Sequence, residues 1–259
     1  MALLDGKVGL VVGVANNRSY AWHIAKALTE HGATCAYAHI PGEKNERRTR
    51  KAVEEIAPDP WLFPCDAGSD EELDALFNAY SESHNQKMDF LIHSIAFADR
   101  EWLQDGMFVK TPRAAYLSAI DISAYTLSAM ANRAQPMMTD GGSILGMSYY
   151  GAEKVIPGYN VMGVAKAALE CTGRYLASEL GQHNIRVNLI SGGYLRTLAS
   201  SAVGGTDAMG EAAAAKAPLR RTVDGSDVGG TAVYLCSQLS AGVTGETIYV
   251  DCGINTLGA

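Results

Sequence analysis

Positive charge is in short supply in this sequence: 21 Lys and Arg stand against 28 Asp and Glu, a formal net charge of −7 over 259 residues. A basic footprint for nucleic acid or an anionic lipid surface is therefore not expected. Cysteine is sparse and shows no C-x-x-C pair; the five residues are Cys35, Cys65, Cys171, Cys236 and Cys252. An odd, scattered set reads as reduced thiols of a cytoplasmic protein rather than a disulfide frame. The opening MALLDGKVGLVVG lacks a basic n-region, and its apolar run is too short to span a bilayer. Neither a secretory signal nor membrane insertion is expected. There is no H-E-x-x-H and no Cys/His cluster, and the six histidines stand apart, so no metal site is expected. No Walker A loop occurs, and no G-x-S-x-G elbow, although Ser148 follows an apolar run, which argues against an α/β-hydrolase.

What is present alternates. Lys7 to Gly13 is a short Val-rich run of the kind a buried strand shows, and from Ser19 a helical period takes over until Gly32. The same alternation predicts further strands in ATCAYAH, WLFPCD, MDFLIHSIA, GGSILGMSYY, IRVNLIS and ETIYVD. Helices are predicted at about 43–56, over SDEELDALFNAYSES, at 113–134, at 159–181 and over DVGGTAVYLCSQL. Strands alternating with helices predict an α/β fold: a single Rossmann domain over 1–259, with a doubly wound parallel sheet of about seven strands and helices on both faces. No linker or internal repeat divides it. The small-residue run at 198–217 reads either as a poorly packed surface segment or as a lid, and its place after the sixth strand favours the lid.

Three constellations can carry chemistry. In GVANNRSYA, Gly13 and Ala15 are small enough to let backbone approach a pyrophosphate, and Ser19 stands at the N-cap of the next helix. The three-glycine G-x-G-x-x-G form is absent, so an ordinary capped turn stays open. Cys65-Asp66 ends the third strand, where a carboxylate can accept from an adenine amine or merely cap a helix. Tyr149, Tyr159 and Lys166 form the third. Seven residues of helix set Lys166 two turns from Tyr159, about 10 Å along the axis and on nearly the same face. A lysine there can hold ribose hydroxyls and favour ionisation of a nearby phenol, and a tyrosine can donate to an oxygen gaining charge. Plain packing of the tyrosines and a solvated lysine is the alternative.

Together these residues resemble the short-chain dehydrogenase/reductase superfamily and, within it, the bacterial enoyl-acyl-carrier-protein reductases. The likeness runs almost end to end, through HSIAFA, SYYGAEKVIPGYNVMGVAKAALE and SAGVTGETIYVDCG. Ordinary ketoreductases of the superfamily carry Tyr-x-x-x-Lys; here position 162 is Met, and the tyrosine stands six intervening residues before Lys166, as in the enoyl reductases. Their Gly-x5-Ser turn matches Gly13 to Ser19. The resemblance implies catalytic roles for Tyr149, Tyr159 and Lys166. It implies cofactor contacts from Gly13, Ala15, Ser19, Tyr20, Cys65, Asp66, Ala67, Ser94, Ile95, Ala96, Lys166, Leu195 and Thr197. Substrate contacts are implied for Ala98, Tyr149, Tyr159, Ala199 and Val203, with the lid at about 192–217.

The implied activity is reduction of trans-2-enoyl thioesters on acyl carrier protein, with NADH as cofactor and NADPH as the second option, in a cytoplasmic homo-oligomer, a tetramer by resemblance. Two rivals are another short-chain oxidoreductase of carbonyl or alcohol substrates and an inactive nucleotide-binding regulator. The chain departs from the family pattern in places. Ser191-Gly192-Gly193-Tyr194 stands where the family has Ser-Ala-Gly-Pro, which predicts a looser lid hinge. Ala96 replaces a common glycine, and HIPGEK lacks the usual adenine-side Gln. Lys44, Arg47 and Arg48 read either as a 2′-phosphate site or as a solvated helix face.

Overall fold

The computed structural model describes residues 2–195 and 206–258, residues 206–209 by their backbone alone. Its strands are β1 (Val8–Val12), β2 (Thr34–His39), β3 (Leu62–Pro64), β4 (Phe90–His93), β5 (Gly142–Ser148), β6 (Ile185–Gly192) and β7 (Thr247–Val250). They pair in parallel in the order β3-β2-β1-β4-β5-β6-β7, a 7-stranded sheet of the Rossmann type. The chain winds outward from β1 in one direction and then from β4 in the other. The C-terminal ends of β1 and β4 therefore flank the switch point, where a ligand crevice opens in such sheets.

Helices cover both faces. They are α1 (Tyr20–Glu30), α2 (Glu43–Val53), α3 (Asp70–Ser83), α4 (Arg113–Ile120), α5 (Thr126–Ala134), α6 (Asn160–Leu180), α7 (Thr206–Lys216) and α8 (Gly225–Cys236). Neighbouring strand residues point to opposite faces, which splits the core in two. Leu10, Leu91, Ile144 and Val187 meet α3, α5 and α6, while Val11, Ile92, Leu145 and Ile190 meet α1 and α8. Local signals set the starts: Ser69 Oγ accepts the Glu72 amide at 3.2 Å to open α3, and Asp224 and Asp227 form a capping box on α8. Gly32, at φ +95°, turns the chain out of α1.

Two elements differ from the expectation. The helix expected over 113–134 is interrupted by a π turn at Asp121–Tyr125 between α4 and α5. Side chains hold the extra residue in place. Thr126 Oγ1 donates to the Ile122 carbonyl at 2.7 Å and contacts His93 Nε2 at 2.8 Å, while Ser123 Oγ bonds both the amide and the carbonyl of Phe97. Such turns are frequent at functional sites, and this one ties the helix to the loop after β4. The third strand is three residues rather than six, as suits an edge strand ending at Pro64.

One contact positions the site from outside it. Helix α8 lies so close on α1 that a Cβ at Gly229 would fall 2.8 Å from Ala27 Cβ and 2.9 Å from the His23 carbonyl. We expect Gly229→Leu to lower stability in urea unfolding by about 1–3 kcal/mol, although leucine is the better helix former. Gly230→Ala, with nothing within 4 Å of the added carbon, should instead raise stability by up to about 1 kcal/mol. Equal effects at the two positions would show that propensity, not the α1–α8 approach, governs this helix.

Candidate active site

The crevice is built on one backbone contact. Gly13 follows β1 at φ +110°, and a Cβ there would lie 2.1 Å from the Ser94 carbonyl at the end of β4. Any side chain at 13 would force the two strand ends apart, so glycine is dictated twice, by φ and by space. Beyond it the turn is closed on itself. Ser19 N and Oγ both donate to the Asn16 carbonyl, at 3.2 and 2.7 Å, and Arg18 N donates to Asn16 Oδ1 at 2.9 Å. Ser19 occupies the N-cap position as expected, but its side chain does not cap: it caps no amide of α1. Among the described residues the first amides of α1 therefore meet no side-chain acceptor, the arrangement that receives an anionic group. Ala15 is half-buried beside them.

Tyr20 does more than line this turn. Its hydroxyl donates to the Gly193 carbonyl just beyond β6, and burial holds the phenol protonated well above its usual range. A Cβ at Gly192 would lie 2.8 Å from Tyr20 Cζ, and one at Gly193 would lie 2.8 Å from Asp251 Cα. Both glycines are buried, and Gly193 N donates to the Val250 carbonyl at 2.8 Å. The looser hinge expected at Gly192 and Gly193 is corrected here: close packing, not backbone freedom, is what they provide. Tyr194 follows, its Cε1 3.0 Å from where a Cβ on Gly210 of α7 would stand. Leu195 is half-buried at the end of this stretch. Thr197, Ala199 and Val203 lie outside the described residues.

At the far side of the crevice, Asp66 is exposed. Its Oδ1 accepts the Gly68 amide at 2.9 Å, and its own amide donates to Glu72 Oε2 at 2.6 Å. Half of the carboxylate thus serves the turn into α3, and Oδ2 remains. Cys65 is buried and its thiol is pushed up to about 12 by desolvation, so it packs rather than reacts. Ala67 packs against the core. Ser94, whose amide donates to the Val12 carbonyl at 3.0 Å, Ile95 and Ala96 continue β4 along the crevice. Ala98 packs beside Tyr159 with Leu103, Val161 and Met162. Met162, where a ketoreductase would carry its tyrosine, is buried there as packing.

The tyrosine–lysine group assembles at the end of β5. Tyr149 and Tyr159 meet edge to face with ring centroids 4.9 Å apart. Gly151 makes room for both rings, since a Cβ there would lie 2.5 Å from Tyr159 Cδ1 and 3.2 Å from Tyr149 Cδ1. Asn160, at φ +44°, turns the chain from Tyr159 into α6, and its Nδ2 donates to the Trp102 and Gln104 carbonyls at 2.7 Å each. That bond fastens the loop after β4 beside the pair. Burial raises both phenols, Tyr159 further through Tyr149 and Tyr20. A phenol raised in this way is a neutral donor, the role that the resemblance implies for Tyr159. Lys166 is buried, donates to the Met147 carbonyl at 2.8 Å, and is brought down to about 8 by desolvation. Among the described residues the ammonium meets no second hydrogen-bond acceptor, so donor capacity is left over.

The structure thus brings Gly13, Ala15, Ser19, Tyr20, Ser94, Ile95, Tyr149, Tyr159 and Lys166 to one edge of the sheet. The motifs did not point to Gly151, Asn160, Glu170 or His93. Only Glu170, one helical turn after Lys166, left a readable mark in its spacing.

A family model described as Enoyl-(Acyl carrier protein) reductase matches residues 13–255. An enoyl-[acyl-carrier-protein] reductase [NADH] of Synechocystis sp. is 49% identical over 257 residues, 98% of each chain. One of Nostoc sp. with the same description is 47% identical over the full length of both. Among solved structures, a Bacillus cereus enoyl-acyl carrier protein reductase with NADP+ and an indole naphthyridinone superposes with a TM-score of 0.96, at 46% identity and 100% coverage of both chains. The corresponding Anaplasma phagocytophilum enzyme in complex with NAD gives 0.94 at 44% identity, covering 100% of this chain and 97% of that one.

The buried ammonium has a signature in stability. Its folded value of about 8 lies below the ordinary 10.5, so between those values the unfolded chain binds the proton that the folded chain has released. Stability conferred at position 166 therefore rises with pH across that window. Wild type should gain on Lys166→Met by about 1 kcal/mol per pH unit between pH 8 and 10 in urea unfolding. A constant difference would mean that the ammonium is solvated.

Proposed function

The chain belongs to the enoyl-acyl-carrier-protein reductase family, and from that membership we propose its reaction: NADH-dependent reduction of trans-2-enoyl thioesters on acyl carrier protein to saturated acyl thioesters, in fatty-acid elongation. The observation that carries this reading is the paired Tyr149 and Tyr159 at the end of β5 with Lys166 buried two turns along α6, beside an uncapped helix start.

The residues present fit a dinucleotide. A cradle at Gly13 that a Cβ would fill, and helix amides that no side chain caps, suit a pyrophosphate. Ala15, Ser19 and Tyr20 would hold that part, with Leu195 and Thr197 closing over it. Cys65, Asp66 and Ala67 would flank adenine, using the free Asp66 oxygen. Ser94, Ile95 and Ala96 would lie along the coenzyme, and Lys166 would donate to the ribose. Lys44, Arg47 and Arg48 are exposed on α2, where a 2′-phosphate could be met, so NADPH is the second coenzyme to assay. When bound, the reduced nicotinamide supplies a hydride to the β-carbon of the enoyl group.

Protein side chains handle the charge that this creates. Electron density moves to the thioester oxygen as an enolate, and Tyr159, kept neutral by burial, donates a hydrogen bond to that oxygen. A proton that comes ultimately from water then adds at the α-carbon to give the saturated thioester. Tyr149, packed edge-on against it, fixes the ring's position. Lys166 places a cation beside the developing charge without itself meeting the oxygen. Ala98, Ala199 and Val203 would line the acyl chain. The segment at about 192–217 would close the single domain over that chain; within it α7 is helical, with Gly210 beside Tyr194.

We place the protein in the cytoplasm as a homo-oligomer, most simply a tetramer. All five cysteines are free, and among the described residues no helix is long and apolar enough to cross a membrane. Tyr125, Cys171 and Tyr175 are exposed along a groove between the π turn at Asp121–Tyr125 and α6 that includes Ala124, Ala168 and Leu176. An apolar stripe on the solvent side of two helices suits a second copy of the chain.

Tyr159→Phe should lower turnover of a crotonyl thioester about 100-fold or more, with coenzyme affinity nearly intact by calorimetry. Unchanged turnover would move the donor role to Tyr149. Faster turnover of an acetoacetyl thioester than of the crotonyl thioester would favour a carbonyl reductase instead, and coenzyme binding with no turnover of either would favour a regulator. Light scattering at micromolar concentration should give a multimer, and Tyr175→Glu should dissociate it; a monomer in wild type would remove the oligomer.

A further inference from the structure

Beneath the tyrosine–lysine group lies a buried carboxylate that the reaction as described does not use. Glu170 stands one helical turn after Lys166 on α6 and is 8% exposed, in a sheet-facing position where charged residues are rare. Its Oε1 accepts from the Ser148 hydroxyl at the last residue of β5. The residue before Ser148 is Met147, whose carbonyl takes the Lys166 ammonium, and the residue after it is Tyr149. Two bonds from one helix, one cationic and one anionic, therefore hold consecutive residues of the strand end that carries Tyr149.

The surroundings supply few other charges. From β4, His93 approaches Lys166, but it is held neutral, pushed down to about 3 by burial with Lys166 adding to the effect. Thr126 gives its own proton to the Ile122 carbonyl, so it accepts from His93 Nε2, and Nδ1 is an acceptor that meets no partner among the described residues. From β6, Ser191 pairs in register with Ser148, and its hydroxyl likewise meets no partner among the described residues. Facing Glu170 are Glu153, after β5, and Tyr249 of β7, which donates to Glu153, while Arg174 lies on α6 itself. Glu153 and burial push the Glu170 carboxyl up; the Ser148 hydroxyl, Arg174 and Lys166 oppose them. For Lys166, Glu170 is, among the described residues, the charge that works against its desolvation.

We propose that Glu170 is a positioning residue of the reductase: through Ser148 it fixes the strand end bearing Tyr149, and through its charge it keeps the buried Lys166 an ammonium. The assignment rests on the reductase reading given above. It separates two roles. The hydrogen bond to Ser148 sets where Tyr149 stands, whereas the charge reaches Lys166 through space and needs no contact. An amide in place of the carboxylate keeps the first role and removes the second.

The test compares wild type, Glu170→Gln, Glu170→Asp and Ser148→Ala across pH 6–10. Two quantities are read: kcat/KM for NADH with a crotonyl thioester, whose limbs report the free enzyme, and the lysine side-chain NMR signal of the coenzyme-free protein that Lys166→Arg removes. In wild type the alkaline limb and the Lys166 signal should both turn near pH 8, the ammonium's value here. Glu170→Gln should move both to lower pH by about one unit, as expected for a charge one turn away in a buried site. Glu170→Asp, which retains the charge, should show less than half of that shift, and a full shift there overturns the electrostatic role even if the amide variant does not fold. Ser148→Ala should lower kcat several-fold with the limb and the signal unmoved. Glu170→Gln with limb and signal at the wild-type position overturns the electrostatic role, and Ser148→Ala with wild-type kcat overturns the tether. A Lys166 signal that shifts in a protein inactive on the enoyl thioester supports the charge coupling and overturns the reductase reading instead.

Discussion

The approach of two strand ends, Gly13 after β1 and Ser94 after β4, is the constraint on which the rest of the site depends. The contact brings backbone to backbone at a distance no side chain allows. It exists because the sheet reverses its winding between those strands, leaving their ends uncovered by any crossover helix. With the strand ends that close, α1 must begin at the crevice, and the loop after β4 must run along its floor. The π turn and Asn160 then fasten that loop from two further directions. The site is thus a property of sheet topology first and of its reactive side chains second.

Burial decides the chemical character of those side chains. The same low-dielectric pocket that raises the phenols lowers the lysine, because it disfavours whichever form is charged. The outcome is a neutral donor at Tyr159 alongside a cation that remains charged at neutral pH by a margin of about one unit. Such a margin makes neighbours matter. A carboxylate one turn away would be negligible on a solvated face, where exposed pairs contribute little, but it is not negligible here.

Much of this was legible in the sequence, and the remainder shows what local pattern leaves out. Strand and helix order followed from hydrophobic period alone, since short Val- and Ile-rich runs between helices admit few other arrangements. The Tyr159–Lys166 spacing located the reacting edge for the same reason: seven residues of helix fix a direction. Position 192 was misread because glycine carries two meanings, freedom and closeness, and only the Tyr20 ring lying against it distinguishes them. The continuous helix expected over 113–134 failed similarly. Thr126 and Ser123 look like ordinary helix residues until the His93 and Phe97 groups they bind, some thirty and twenty-six positions away, come into view. Ser19 sits where a cap belongs, yet its hydroxyl is claimed by Asn16. Side-chain choices among competing acceptors are three-dimensional, and a one-dimensional pattern does not encode them.

The Tyr20 hydroxyl on the Gly193 carbonyl joins the two halves of the molecule that a bisubstrate reaction must coordinate. One end belongs to the helix start that would face the coenzyme phosphates, the other to the strand end from which the α7 segment departs. Restricting Tyr20 at the first end restricts Gly193 at the second. Linkage then requires any effect to run both ways: whatever factor one ligand imposes on the other's binding at these two ends is returned in kind.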